Sequence, residues 1–184
     1  MVLEISSGKN LIDPVAVLKK VGLKEKMIVA DLGCGTLGYY LFPAAKMVGS
    51  GGRVYAVDVQ KHLLENLEKR ARTENFSNII GVWSNLERYG ATNIPSGSVD
   101  AALLLNILFQ CKDRSSVLKE ATRLLKVGGK LLVTEWVSTS SPLGPPVEGR
   151  VDHNWVEQEA DKLGLKLLSR FSPSQYHYGL IFEK

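Results

Sequence analysis

The feature of this sequence that most constrains its fold is a glycine-rich turn. An apolar run, residues 27–30, leads into Asp31 and then into Gly33, Gly35 and Gly38, which have the spacing G-x-G-x-x-G. This pattern is typical of a buried parallel strand that turns sharply into a helix beside a nucleotide. Glycine is needed there, because a residue without Cβ adopts positive φ readily and lets a ligand approach the backbone. The turn therefore predicts an α/β fold with a nucleotide-like ligand.

A second apolar run ends in Asp58, 20 residues after Gly38. An acid at about this distance, at the end of the second strand, can bind the hydroxyl groups of a ribose. Two classes of ligand fit the spacing. A nicotinamide dinucleotide normally leaves an apolar residue at position 31, whereas a ligand with an ammonium group favours the carboxylate of Asp31. The second class fits better, and an NAD(P)-dependent oxidoreductase stays open as the alternative.

Short apolar strands alternate with amphipathic helices along the rest of the chain, which is the pattern of a parallel sheet covered by helices. Asp13 and Pro14 are typical of a helix start, and Gly22 of a helix end. Residues 165–171 and 176–182 form two predicted strands whose connection is short enough only for an antiparallel pair. The other predicted helices cover residues 40–48, 60–73, 113–127 and 152–163, and the other strands residues 53–58, 78–83, 99–106 and 130–137.

Composition excludes several classes of protein. The chain has 184 residues, 45% of them hydrophobic, and no apolar run approaches the ~20 residues that span a bilayer, so we expect one cytoplasmic domain. Its two cysteines are too few for a disulfide scaffold or a four-thiolate zinc site. Although the net charge is +4, the densest basic stretch, residues 61–72, also contains acids. We therefore do not expect a nucleic-acid partner.

The stretches VADLGCGTLGYY and VYAVDVQ resemble the motifs of class I S-adenosylmethionine-dependent methyltransferases. The resemblance is to the group that includes quinone-biosynthesis and other small-molecule enzymes. It implies a Rossmann-like, doubly wound, seven-stranded sheet that is mostly parallel and ends in an antiparallel hairpin. Residues 1–184 would form a single methyltransferase domain, with a loose lead-in at 1–12 and a loop at 138–150 that could close over the site.

The resemblance also assigns cofactor contacts residue by residue. The methionine end of S-adenosylmethionine would lie against the acid and the glycines of the turn, the ribose against the second acid, and the adenine against a polar and an apolar residue after strand three. Asn85 has an alternative role as a loop amide that bonds its own backbone. In this order the implied cofactor-binding residues are Asp31, Gly33, Gly35, Gly38, Asp58, Val59, Asn85 and Leu86, with Asn106 facing the reacting methyl group.

The implied reaction is an in-line displacement that gives S-adenosylhomocysteine, catalysed mainly by alignment of the two reactants. A general base is needed only if the acceptor loses a proton. Glu135, His153 and His177 are candidates for that role, although each has an alternative as a surface or hydrogen-bonded residue. No metal is expected.

The sequence limits the identity of the methyl acceptor only by excluding some classes of acceptor. Strand four continues into Ile107, Leu108 and Phe109 and lacks the Asn-Pro-Pro-aromatic run of enzymes that methylate nucleobase amino groups. We expect a small or medium-sized acceptor. Either the second subunit of a homodimer or the 138–149 loop would close the pocket, or the acceptor is large and provides its own cover. A protein that binds S-adenosylmethionine without transferring its methyl group remains a further alternative, because the reaction needs no diagnostic residue.

Overall fold

The computed structural model describes residues 12–139 and 143–184, so residues 1–11 of the predicted lead-in lie outside the described part. Within that part, no helix combines the length and apolar character needed to cross a membrane. The helices are α1 (Pro14–Val21), α2 (Leu41–Val48), α3 (Lys61–Thr73), α4 (Arg114–Leu124) and α5 (His153–Lys162). The strands are β1 (Ile28–Leu32), β2 (Arg53–Asp58), β3 (Ile79–Trp83), β4 (Val99–Leu105), β5 (Leu125–Trp136), β6 (Lys166–Ser174) and β7 (His177–Glu183).

The seven strands form one sheet in the order β3-β2-β1-β4-β5-β7-β6. Strands β1 to β5 are parallel to one another, and β7 is antiparallel to both β5 and β6. This confirms the predicted fold class, including the C-terminal hairpin. The strand order reverses between β1 and β4, and ligands of open α/β sheets bind outside the carboxyl ends of the strands at such a point.

Both faces of the sheet are covered, so its central strands are apolar throughout rather than alternating. Helices α1, α2 and α3 pack on one face, and α4 and α5 pack on the other. Successive residues of β4 illustrate this: Leu103 belongs to the first core and Leu104 to the second, and both are fully buried. The two cores hold the strands rigidly, which fixes the loops at their carboxyl ends.

The predicted ends of α1 are confirmed. The side chain of Asp13 accepts hydrogen bonds from Val15 N at 2.9 Å and Ala16 N at 3.2 Å, which satisfies two backbone donors of the first turn. Gly22 ends the helix in the left-handed conformation, with φ of 81°. Lys19 and Lys20 lie in the last turn, where a positive charge is favourable.

The boundary between α4 and β5 differs from the prediction. The helix ends at Leu124, and Leu125 already pairs with Val99, before the pairing jumps to Ala101 and Lys130. Gly128, with φ of 77°, therefore serves a bulge rather than a helix end. The distant Lys184 donates from Nζ to the carbonyls of Thr122 and Leu125, and so satisfies the end of α4. That contact cannot be read from the local sequence.

A buried ion pair fixes the loop between β3 and β4, which borders the candidate site. Glu120 of α4 has no exposed surface, and its carboxylate accepts from Gly90 N at 2.8 Å and Thr92 N at 3.0 Å. Arg123 donates to both oxygens of the same carboxylate at 2.8 Å. Arg123 also donates to the carbonyls of Thr92 and Ile94, so the pair holds both sides of the loop.

We predict that Glu120→Ala lowers the free energy of unfolding by about 3 to 5 kcal/mol, because it leaves Arg123 and two amides without their acceptor. The measurement is urea denaturation followed by circular dichroism. Glu65→Ala is the matched control, since Glu65 is an exposed helical acid 4.0 Å from Lys61, and it should cost less than about 1 kcal/mol. Equal losses in the two variants would contradict a structural role for the pair.

Candidate functional site

Two cavities adjoin the glycine turn at the carboxyl edge of the parallel strands. The larger has a volume of about 270 Å³ and the smaller about 80 Å³. Gly33 lines both, so the two cavities meet at the turn. The larger is lined by Ile12, Asp31, Gly33, Cys34, Gly35, Leu37, Tyr39, Tyr40, Leu105, Asn106, Gln110, Trp136 and His177. The smaller is lined by Gly33, Asp58, Val59, Ser84, Asn85, Leu86, Glu87, Ile107 and Cys111.

The three glycines of the turn all have positive φ, at 81°, 65° and 55° for Gly33, Gly35 and Gly38. Their surroundings differ. A Cβ on Gly33 would lie 2.6 Å from the side chain of Ile107, and one on Gly38 would lie 2.9 Å from Phe42. A Cβ on Gly35 would meet nothing within 4 Å. Gly33 and Gly38 therefore allow close packing, whereas Gly35 borders open space in which a ligand can approach the backbone.

Asp31 is the penultimate residue of β1, lines the larger cavity and is only 3% exposed. Burial, together with the charge of Asp58, raises the pKa of Asp31 to about 7. Among the described residues that line the larger cavity, Asp31 is the only aspartate, glutamate, lysine or arginine. No lysine or arginine there balances its charge. A ligand ammonium group would supply that balance and favour the ionised carboxylate.

Asp58 ends β2 and links that strand to the glycine turn. Its Oδ2 accepts from Gly35 N at 3.2 Å, and its Oδ1 accepts from Gln60 N at 2.9 Å. The carboxylate is largely buried and, with Val59, lines the smaller cavity. The two acids at the strand ends therefore serve different cavities on either side of Gly33.

Asn85 and Leu86 also line the smaller cavity, after β3. Leu86 is buried, whereas Asn85 is exposed and its Oδ1 accepts from Glu87 N at 2.9 Å. This is the bond to its own loop that the sequence left open as the alternative role. Ile107 and Cys111 complete the wall, and sequence reasoning missed both because they come from the segment after β4.

Asn106 follows β4 and adopts a left-handed conformation with φ of 56°, which asparagine tolerates better than most residues. Its Nδ2 lies 3.5 Å from Nε2 of His177. Its Oδ1 is buried and has no hydrogen-bond partner among the described residues. A buried acceptor of this kind calls for a donor, and a ligand in the larger cavity could provide one.

His177 is the one candidate catalytic residue that the described structure places at the larger cavity. Its ring lies against the ring of Trp136, with centroids 4.1 Å apart, and its Nδ1 is 2.9 Å from the hydroxyl of Ser174. Burial, with a smaller effect from the charge of Arg150, lowers the pKa of His177 to about 4. The imidazole is therefore neutral at physiological pH and can accept a hydrogen bond.

Glu135 and His153, the other two candidates, do not line either cavity. Glu135 is fully buried, and its Oε1 accepts from Leu108 N at 2.6 Å and Phe109 N at 3.3 Å. Glu135 and Trp136 are adjacent residues of β5, so their side chains point to opposite faces of the sheet. His153 begins α5, is half exposed, and lies 3.6 Å from Glu157. We therefore do not retain either residue as a catalytic candidate.

The described residues of the predicted lid loop, 138–139 and 143–150, also stay outside both cavity walls. Gly144 of this loop packs on the indole of Trp136, where a Cβ would lie 2.5 Å from the ring. Leu37, Leu105 and Gln110 are cavity residues that sequence reasoning missed. Among the described residues, no group of three or more potential ligands is arranged to hold a metal ion.

The fold and the site together define a class of protein. A glycine turn after β1 with acids at the ends of β1 and β2 is shared by nucleotide-binding Rossmann-like domains, whereas the antiparallel β6 and β7 are found in methyltransferases and not in dinucleotide-binding domains. Comparison with known proteins agrees with this class. The family described as "Methyltransferase domain" matches residues 30–133, which is more than half of the chain.

The chain therefore belongs to the S-adenosylmethionine-dependent methyltransferase family. It is 31% identical over 128 residues to a demethylmenaquinone methyltransferase of Lactococcus lactis, a match that covers 70% of this chain and 48% of that protein. The chain thus spans about half the length of this relative. A crystal structure of an S-adenosylmethionine-dependent methyltransferase from Aquifex aeolicus has a TM-score of 0.87 and 28% identity, covering 98% of this chain and 94% of the other.

A similar fold is also found in a protein that is described by a different reaction. The [4+2]-cyclase SpnF matches with a TM-score of 0.79 but only 16% identity, over 93% of this chain and 79% of the other. Likeness at this level concerns the fold alone. The activity of the present protein has to be argued from its own site.

We predict that Asp31→Asn changes the pH dependence of stability. A carboxyl group with a higher pKa in the folded protein binds its proton more tightly there, so its ionisation lowers stability as pH rises from about 4 to about 7. Asparagine resembles the protonated acid and removes this dependence. At pH 8 the variant should be more stable than the wild type by roughly 2 to 4 kcal/mol, and the difference should vanish near pH 4.

The measurement is urea denaturation of both proteins, without cofactor, at pH values from 4 to 8. Asp161→Asn is the control, because Asp161 is exposed on α5. Parallel curves for the wild type and Asp31→Asn would contradict the raised pKa of Asp31.

Proposed function

We propose that this protein transfers the methyl group of S-adenosylmethionine to a small or medium-sized acceptor and releases S-adenosylhomocysteine. The observation that supports this most is the buried carboxylate of Asp31, which has no lysine or arginine beside it among the described cavity residues. A cofactor with an ammonium group and no phosphate matches that acid. A dinucleotide would instead bring a pyrophosphate close to two carboxylates, which opposes the oxidoreductase alternative.

The cofactor would lie across the glycine turn, with one end in each cavity. Its ammonium group would pair with Asp31 in the larger cavity, and the open side of Gly35 would admit the chain that joins the amino acid to the ribose. Asp58, beside Val59, would accept from the ribose hydroxyls. The adenine would pack on Leu86 and Ile107 in the smaller cavity, near the exposed Asn85.

The acceptor would occupy the remainder of the larger cavity, which Trp136, His177 and Gln110 line. No lysine or arginine contributes to the described walls of this cavity. An acceptor with a phosphate or carboxylate next to the reacting atom would find no cation there, so we favour an uncharged one. The Lactococcus relative is named a demethylmenaquinone methyltransferase, and that name gives the acceptor of the relative alone.

In the proposed reaction the acceptor atom attacks the methyl carbon from the side opposite the sulfur. A bond forms between the acceptor and the methyl carbon, the bond from carbon to sulfur breaks, and its electron pair stays on the sulfur. The protein contributes mainly by alignment, which can supply much of the acceleration. If the acceptor is a hydroxyl or amine that loses a proton, His177 is the histidine that lines the cavity and could receive that proton, with Asn106 beside it.

Three further predictions from the sequence are kept with this proposal. A cytoplasmic location and a homodimer remain predictions, and so does a single domain over residues 1–184. None of them is required by the proposed placement of the cofactor.

We predict that Asp58→Ala weakens binding of S-adenosylhomocysteine by at least about tenfold, because hydrogen bonds to a charged group each contribute roughly 1.5 to 3 kcal/mol. The measurement is isothermal titration calorimetry at pH 7.5. Asp161→Ala serves as the control, since it removes an acid far from both cavities. Wild-type affinity in Asp58→Ala would overturn the assignment of the ribose to the smaller cavity.

A further inference from the structure

The connection between β5 and α5 is held largely by one buried side chain. Arg150 is 7% exposed and donates four hydrogen bonds to backbone carbonyls of this connection. Its Nε bonds Pro145 O at 3.0 Å, and its Nη2 bonds Leu143 O at 2.9 Å. Its Nη1 bonds Val137 O at 3.0 Å and Thr139 O at 2.6 Å. We call the described residues 137–139 and 143–149 the strap.

These bonds occupy most of the donors of the guanidinium, which has five N–H groups in a fixed planar fork. None of the ion pairs found among the described residues includes Arg150. The charge of Arg150 is therefore satisfied by carbonyl dipoles rather than by an acid. A buried cation without an acid partner is costly to a fold, and such a residue calls for a specific use.

The strap lies against the outer side of the acceptor wall. Gly144 has φ of 88°, and a Cβ there would lie 2.5 Å from the indole of Trp136, so the backbone of the strap contacts the ring directly. The guanidinium of Arg150 lies 5.9 Å from the centroid of the same ring. The indole also packs against His177, with centroids 4.1 Å apart. The strap therefore contacts the indole, the indole contacts the imidazole, and both rings line the larger cavity.

We propose that Arg150 is a positioning residue for the acceptor wall, which fastens the strap over Trp136 and thereby sets the indole and the imidazole of His177 against the larger cavity. The meaning of this wall rests on the proposed function. Arg150 itself lines neither cavity, so it acts through Trp136 and His177.

Arg150 also acts on His177 through its charge. Of the charged groups around this imidazole, Arg150 is the one that lowers its pKa, in addition to the larger effect of burial. The described groups in contact with the ring are uncharged: Ser174 in β6, Asn106 after β4 and Trp136 in β5. One side chain therefore both orients the wall and helps to keep its imidazole neutral, and these two effects can be separated by substitution.

The test uses Arg150→Gln, which removes charge and fork, and Arg150→Lys, which keeps the charge and removes the fork. Nuclear magnetic resonance of the whole protein gives two readouts. The first is the titration of His177, which is resolved easily because the chain has three histidines. The second is the nuclear Overhauser effect between the rings of Trp136 and His177. Circular dichroism checks that each variant is folded.

In Arg150→Gln we expect the pKa of His177 to rise by roughly 0.5 or more, because a nearby positive charge is lost. In Arg150→Lys the pKa should stay close to that of the wild type. The Overhauser effect between the two rings should weaken in both variants, since neither retains the fork that holds the strap. A purely structural role elsewhere in the fold would not separate the two readouts in this way.

Arg170→Gln is the matched control, because Arg170 is exposed and pairs with Glu157 at the other side of the C-terminal hairpin. It should change neither readout. The proposal is overturned if Arg170→Gln reproduces the changes, or if the Overhauser effect is unchanged in either folded Arg150 variant. If Arg150→Gln does not fold, the Overhauser effect in Arg150→Lys decides.

Calorimetry with S-adenosylhomocysteine distinguishes failure of this proposal from failure of the proposed function. Its affinity for the Arg150 variants should remain within about twofold of the wild type, because Arg150 lines neither cavity and its four hydrogen bonds go to the strap rather than to the proposed cofactor-binding residues. Absence of binding to the wild type would refute the proposed function. The two resonance readouts would still decide whether Arg150 orients Trp136 and His177.

Discussion

The rest of the site depends on one buried carboxylate that has no lysine or arginine beside it. This carboxylate lies where the order of the strands reverses, between β1 and β4. Asp31 occupies the end of β1, between β2 and β4, and the packed helices on both faces leave it little access to water. The raised pKa of Asp31 is the mark of that situation. A ligand that brings a positive charge offsets the energetic disadvantage of burial for the ionised acid, so burial of Asp31 favours a cofactor with an ammonium group.

The glycine turn and Asp58 add geometry to that charge. Gly33 allows Ile107 to close the smaller cavity, and the amide of Gly35 is held by Asp58 from the next strand. The turn is therefore fixed by contacts with β2 and with the segment after β4. This arrangement positions two cavities about one backbone segment, the larger beside Asp31 and the smaller beside Asp58, which leaves room for a long cofactor across the turn.

The proposed acceptor side depends on a different part of the fold, the antiparallel pairing of β5 and β7. That pairing places Trp136 directly opposite His177, and residues directly opposite in an antiparallel pair lie on the same face. The antiparallel strands thus complete the cavity that the parallel strands begin. The strap, fastened by Arg150, then supports the indole from outside.

Much of this arrangement could be predicted from the sequence, because local patterns determine it. The glycine spacing, the two strand-end acids and the cap at Asp13 all indicated the structure that was found. What could not be predicted depends on register or on distant contacts. The opposition of Trp136 and His177 follows from strand register, and Glu135 looked like a candidate base until its bonds to Leu108 and Phe109 showed what its carboxylate binds. The hydrogen bonds from Lys184 to the carbonyls at the end of α4 likewise cannot be predicted from the local sequence.

Thermal unfolding with four ligands in parallel shows whether the site accepts an ammonium-bearing sulfur cofactor or a dinucleotide. They are S-adenosylmethionine, S-adenosylhomocysteine, NAD and NADP. A ligand at a hundred times its dissociation constant stabilises the folded protein by ~2.7 kcal/mol, which should raise the midpoint by roughly 5 to 10 °C. We expect this rise with the two sulfur ligands and none with the dinucleotides. A rise with NAD or NADP alone would contradict it.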